Sequence, residues 1–256
     1  MSNPATFAKH AHPRIRRDIP PLLWLGLPLL ILLVLWLSPM LGYERWRIVI
    51  LGERIGFIEN LTVLFLIVAT VMSLRMALRR TVLPRSVRIL LVLLALGSLF
   101  LAGEEASWGQ HWIRYETPSD IADDNIQGEF NLHNRKGFWQ ECVTSHGRHA
   151  AGWGVVALGI VFPLALLPWR DRIQSRSAIL YWLAPSWRVV PAALLSALAK
   201  VPAHMMTRLV GEAPRKSYAW MALYRPGGEL KEFGLALLVL LYVLSLDIRV
   251  RQHSEP

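Results

Sequence analysis

Hydrophobic and polar positions along this chain fall into long uncharged runs separated by short charged breaks. Ile19 to Tyr43 carries no charge at all. A second run lies between Arg54 and Arg75 and holds one charge, Glu59. A third, Ile89 to Gly103, is 15 residues long, a fourth spans about His146 to Trp169, and a last covers Phe233 to Leu246. Runs of this kind, rather than amphipathic stripes, mark helices that cross a bilayer. At about 1.5 Å per residue, the third run is too short for a hydrocarbon core of about 30 Å. Its helix is therefore expected to continue through Glu104 and Glu105 to about Trp112. The last run likewise needs "GGELKE" (227–232) as its first turn. Residues 177–203 are apolar but contain Pro185, Arg188 and Pro191. A central arginine facing lipid is costly, so this segment is either a kinked span with Arg188 turned inward or a re-entrant piece.

The expected fold is all-α: a polytopic transmembrane bundle of six spans, or five if 177–203 does not cross. A basic tail (1–18) precedes a single helical domain (19–250), whose polar loop covers 113–145, and residues 251–256 form a short tail. The uncharged segment from Ile19 is longer than a signal-peptide core and lacks a clear small-residue cleavage site, so it reads as a retained helix.

Composition agrees. The 256 residues are 54% hydrophobic and only 18% charged, with 11 Trp. The net charge of +10 does not point to nucleic acid, because the basic residues cluster beside the apolar runs. Lys9, Arg14, Arg16 and Arg17 precede the first; Arg75, Arg79, Arg80, Arg85 and Arg88 separate the second and third; Arg170, Arg172 and Arg176 close the fourth. The positive-inside rule then places these breaks and the N-terminus on the cytoplasmic side of a membrane. The stretch 104–149, with eight acids against four Arg or Lys, faces outward, and "TPSD" (117–120) is a helix start within it. One cysteine, Cys142, excludes an intrachain disulfide.

On this topology the ionisable residues gather at one depth. Glu59 opens the second span, Glu104 and Glu105 close the third, and Glu229 and Glu232, three apart on one face, open the last. His146 and His149 open the fourth. His111 lies seven residues after Glu104, on the same face of a continuous helix. In "DDNIQGEFNLHN" (123–134), Asn125, Gln127, Glu129, Asn131 and His133 alternate with Ile126, Phe130 and Leu132. A period of two predicts an extended ribbon with one polar and one apolar face, which would serve as a lid over the acids.

Ionisable groups at membrane depth are turned inward, paired or functional. A ring of carboxylates and imidazoles can hold a divalent metal, set a general acid beside a general base, or bind a cationic or hydroxyl-rich head group. The expected catalytic set is Glu59, Glu104, Glu105, Glu129 and His133. Trp108, Gln110, Asn125, Gln127, Asn131, Asn134 and Glu232 are the expected substrate contacts. A metal would be held by Glu104, His133, His146 and His149. Each feature also has a plain reading. Acids at helix ends are often solvated, Glu229 and Glu232 suit a helix N-terminus, H-x-x-H alone is a weak metal signal, and Trp108, Trp112, Trp139 and Trp153 suit an aromatic belt.

"EEASWGQHW" (104–112), "NIQGEFNLHN" (125–134) and "ERIGFIENLT" (53–62) together resemble the motif blocks of a group of uncharacterised bacterial polytopic membrane proteins. Those carry an EEISWGQR-like block followed by N-x-Q-x-E-x-N-L-H-N. Ala106 and His111 stand where that pattern has a β-branched residue and Arg. The resemblance covers about the first 135 residues. It implies a multi-spanning inner-membrane protein and singles out Glu53 along with the residues above, without naming a reaction. Membrane-embedded metal hydrolases of the alkaline ceramidase type are a more distant likeness, and their His-x-x-x-His block is absent here.

Two functions follow as expectations. One is a hydrolase or transferase, metal-dependent if the histidines take part, acting at the outer leaflet on a lipid or lipid-linked head group. The other is a non-enzymatic accessory or transport subunit with protein partners in envelope assembly.

Overall fold

The computed structural model describes residues 18–51, 56–79, 83–132, 134–138, 140–141, 145–169 and 178–254. The basic tail before Asp18, Glu53, His133, Trp139, Cys142 and the break at 170–177 lie outside these.

The described residues are helical, with no strand and one isolated bridge, Asn125 to Arg135. Five helices are long and apolar enough to cross a membrane, and a bent pair makes a sixth. They are α1 (Leu22–Leu41), α2 (Phe57–Leu78), α3 (Arg85–Glu105), α4 (His149–Trp169, its helix reaching back to Ser145), the bent pair α5 (Leu180–Leu198) and α6 (Val201–Val210), and α7 (Gly227–Ser254). α7 begins where the "GGELKE" turn was expected. It is the central helix: Phe233, Leu237 and Leu241 pack with Ile31 and Leu35 of α1, Ile58 of α2 and Val189, Ala192 and Leu195 of α5. Farther along α7, Val243, Leu246 and Val250 meet Ala69 and Met76 of α2 and Val87 and Leu91 of α3.

The two ends of the bundle are told apart by contacts far apart in sequence. At one end Asp18, just before α1, accepts hydrogen bonds from Ser186 Oγ at 2.5 Å and Ser245 Oγ at 3.1 Å. At that same end the buried Arg249 donates to the carbonyls of Tyr181 and Trp182 and to Ser245 Oγ. At the other end Ser196 Oγ donates to the Lys231 carbonyl at 2.7 Å. α5 therefore runs antiparallel to α7, from the level of Arg249 to the level of Lys231. The start of α1 and the end of α7 also share one end, which requires an even number of traverses. With the bent pair counted as one crossing, the described helices cross the bundle six times, α5 being the fifth.

Small residues let α5 fit. A Cβ on Gly234 would fall 2.5 Å from the Ser196 backbone nitrogen, and one on Gly159 would fall 2.6 Å from the Ala193 Cβ. This is how helices approach closely where burial of apolar surface gives no driving force.

Two expectations are corrected. Arg188 is not at mid-depth. The break at Pro185 and Ser186 starts the helix at Trp187, which leaves Arg188 at the Asp18 end. There it donates to the Ile19 carbonyl at 2.6 Å and stands 3.8 Å from the Asp18 carboxylate. And α3 does not continue to Trp112; it ends at Glu105.

Candidate functional site

The end of the bundle opposite Asp18 carries the acids, for a reason that begins with the way α3 stops. Ser107, Trp108 and Gly109 have φ of 43°, 53° and 86°, a left-handed turn that costs L-residues roughly 1–2 kcal/mol each. The turn folds the Trp108 indole back over Gly103, whose absent side chain makes the space: a Cβ there would lie 2.9 Å from the ring. The folded indole donates from Nε1 to Glu104 Oε1 at 2.8 Å. A short helix, Gln110–Ile113, then starts on a new axis. His111 thus does not share a helical face with Glu104.

The two motif blocks read from the sequence lock into each other. Glu104 Oε2 accepts the Leu132 backbone N–H at 2.8 Å. Ser107 Oγ donates to Glu129 Oε2 at 2.8 Å and accepts from Asn131 Nδ2 at 3.0 Å. Gln110 Oε1 accepts the Phe130 N–H at 2.8 Å, while its Nε2 donates to Thr117 Oγ1 at 2.6 Å. Tyr115 donates to the Ser107 carbonyl. Within the second block, Asn125 Nδ2 donates to both the carbonyl and Oδ1 of Asn131, and Asn125 Oδ1 accepts the N–H groups of Gln127 and Glu129. Asn134 donates to Gln127. An Arg135–Asp124 ion pair at 2.9 Å closes the loop at its base.

The segment is therefore a knotted loop and not an extended ribbon. Asn125 and Asn131 are buried but Gln127, which a period of two puts on the same face, is exposed. The period of two fails because Asn125 turns its side chain back onto the loop's own backbone, as short amides do.

Beneath this loop lies a second group of carboxylates. Val63 of α2, Ala102 of α3 and Ala236 of α7 pack together; each lies one helical turn from Glu59, Glu105 or Glu232, and these acids and Glu229 are within electrostatic reach of one another. Helices α2, α3 and α7 thus bring Glu59, Glu105, Glu229 and Glu232 to one end of the bundle. Glu59 also accepts a backbone hydrogen bond from Gly56. Val63 and Leu66 of α2, Ala102 and Ala106 of the α3 end and Ala236 of α7 form the apolar floor.

Of the expected metal-holding histidines, His133 lies outside the described residues. His146 and His149 are exposed, and His146 Nδ1 lies 3.1 Å from the Glu141 carbonyl. Among the described residues no three His, Cys, Asp or Glu side chains are arranged to hold a metal ion. Both Glu104 oxygens are taken up by Trp108 and Leu132. Trp108, Trp112 and Trp153 are exposed at 45%, 54% and 74%, as an aromatic belt requires. An aromatic cluster, beyond the expected belt, joins Tyr43, Trp46 and Trp220 at the same end, with Trp46 fully buried. Its signal was available in the close spacing of Tyr43 and Trp46 just past the first apolar run.

No protein-family model matches the chain, and neither a curated protein nor a solved structure matches it.

Proposed function

We propose that this chain is a multi-pass protein of a bacterial inner membrane, N-terminus inside, that binds a lipid or lipid-linked head group at its outer end. The observation that carries this reading is the packing of α2, α3 and α7 through Val63, Ala102 and Ala236, which gathers Glu59, Glu105, Glu229 and Glu232 at one end of the bundle. Carboxylates gathered below an ordered loop favour an ammonium or hydroxyl-rich head group, and crowded carboxyls place a proton donor beside a proton acceptor. Glu59 and Glu105 are the acid and base of a hydrolase or transferase in this reading, with Glu129 and Trp108 at the entrance. Glu104, Asn125 and Asn131 hold the loop and do not react. The orientation rests on the basic residues Arg75, Arg79, Arg85, Arg88 and Arg251, which flank the Asp18-end packing of Met76, Ala77, Leu83 and Val87 with Tyr181 and Val250.

The test compares whole-lipid mass spectra of cells lacking the protein with cells supplied with wild type, Glu59→Gln or Glu105→Gln. Wild type should restore the lipid profile and the two variants should not, although each accumulates as folded protein. Equal restoration by both variants overturns the reading.

A second reading, an accessory subunit of an envelope-assembly complex, is favoured by a different observation. The motif residues Glu104, Gln110, Asn125 and Asn131 are spent on building the loop, and that loop presents Ile113 and Phe138 at 75% and 71% exposure. Crosslinking from position 138 that captures one discrete membrane partner, with no lipid change on deletion, selects this reading.

A further inference from the structure

The segment between α5 and α7 serves neither reading, yet its surface is organised. α6 leaves α5 at a bend of 42° at the acid end. Its residues Val201, Met205 and Leu209 fall four apart and so form one stripe, exposed at 39%, 56% and 74%. The stripe continues the lipid-facing side of α5, where Leu194 and Leu198 are exposed at 39% and 51%. His204 and Arg208, also four apart and exposed, form the neighbouring stripe. Apolar surface of this extent is not left in water, and an apolar stripe beside a basic one suits a helix lying in a headgroup layer.

Charge distinguishes this segment from the rest of the acid end. Residues 200–225 hold Lys200, Arg208, Arg215, Lys216 and Arg225 against one acid, Glu212. The inward bias of positive charge does not account for them, because six traverses put them opposite the basic end. The segment is also tied to α1 and the turn after it. The Tyr218 hydroxyl donates to the Trp36 carbonyl of α1, and Lys216 Nζ lies 4.6 Å from the centre of the Tyr43 ring.

We propose that α6 and the turn after it form an interfacial foot that binds the phosphates of anionic phospholipids in the membrane. Met205 and Leu209 enter the acyl boundary while Arg208 and Arg215 take the phosphates. Basic residues near an anionic surface are each worth about 1 kcal/mol. Lys200 sits against Gly227, two residues before Glu229, so the foot adjoins the acid group. The inference stands whether or not that group reacts.

The experiment uses the full chain with Cys142→Ser in nanodiscs of phosphatidylcholine mixed with phosphatidylglycerol. Single nitroxide labels at Met205→Cys and Arg208→Cys are read by power saturation against oxygen and a water-soluble nickel chelate. Oxygen should dominate at 205 and nickel at 208. Equal access of nickel to both places α6 in water and overturns the proposal. The lipids retained by the purified protein are then compared by native mass spectrometry. Preference for phosphatidylglycerol over phosphatidylcholine should fall severalfold in an Arg208→Ala, Arg215→Ala variant and be kept in Arg208→Lys, Arg215→Lys. An unchanged preference in the alanine variant rejects the anionic-lipid assignment.

Discussion

The carboxylate of Glu104, at the last turn of α3, accepts the backbone N–H of Leu132 at 2.8 Å, across 28 residues of chain. Its other oxygen holds the Trp108 indole. One buried acid thus ties a helix end, a left-handed turn and a loop together.

Removing that acid should release the loop before it unfolds the bundle. Glu104→Ala leaves the Leu132 amide and the Trp108 N–H without their acceptor, and a hydrogen bond to a charged group is worth about 1.5–3 kcal/mol net. Hydrogen exchange should rise across residues 125–132 and remain near wild type in α7. Uniform protection in the variant would show that Glu104 is not the tie.

Gly103 and Gly97 sit on the same helix and should respond to alanine in opposite directions. At Gly103 the new methyl meets the Trp108 ring at 2.9 Å, whereas nothing lies within 4 Å at Gly97. Gly97→Ala should stabilise by about 0.5–1 kcal/mol through lost backbone freedom. Gly103→Ala should displace the indole, break its bond to Glu104 and cost about 1–3 kcal/mol. Thermal unfolding in detergent, with Trp108→Phe as a second background, measures both effects. Equal midpoints for the two alanine variants would contradict the packing described.

The contrast between these glycines shows what was legible beforehand. The spans and the shared end of Glu59, Glu105, Glu229 and Glu232 follow from charge placement, because a bilayer leaves charged side chains few positions; the stop of α3 at Glu105 does not. The turn at Ser107 to Gly109 could not be read, since neither Ser nor Trp announces a left-handed backbone. Asn131 and Glu129 looked like one face of a ribbon because periodicity reports spacing alone, and the side chain of Asn125 overrides it by bonding to its own loop. The parity of the crossings was ambiguous while Arg188 seemed to lie at mid-depth, and only the contacts of Asp18 resolve it.

Close approach of α5 and α7 gives a third expectation. A methyl on Gly234 would meet the Ser196 backbone, which cannot move aside as a flexible side chain would. Gly234→Ala should therefore destabilise by about 1–3 kcal/mol, and Gly234→Leu should separate the two helices. A crosslink between cysteines placed at 195 and 237, formed readily in the Cys142→Ser parent, should be lost in the Leu variant. Retention of that crosslink at wild-type yield would show that the helices do not depend on the small residue.

The last expectation concerns which side each terminus occupies. Asp18 accepts from Ser186 at 2.5 Å and Ser245 at 3.1 Å, so the entry to α1, the start of α5 and the end of α7 meet at one end of the bundle. Five crossings would place the ends of the chain on opposite faces of a membrane; six place them on the same face. Cysteines introduced at positions 3 and 255 of a Cys142→Ser protein, probed in sealed inverted vesicles with an impermeant maleimide, should react together. The same reagent applied to intact spheroplasts should label neither while labelling a cysteine at position 127. Labelling of positions 3 and 255 from opposite sides would break the even count, and with it the placement of Glu59, Glu105, Glu229 and Glu232 on one surface. Asp18→Asn gives an independent check. It removes the charge that Arg188 approaches and weakens two hydroxyl hydrogen bonds, so it should lower the unfolding midpoint by the equivalent of about 1–3 kcal/mol. It should leave the exchange protection of residues 125–132 untouched, because that loop lies at the far end of the bundle.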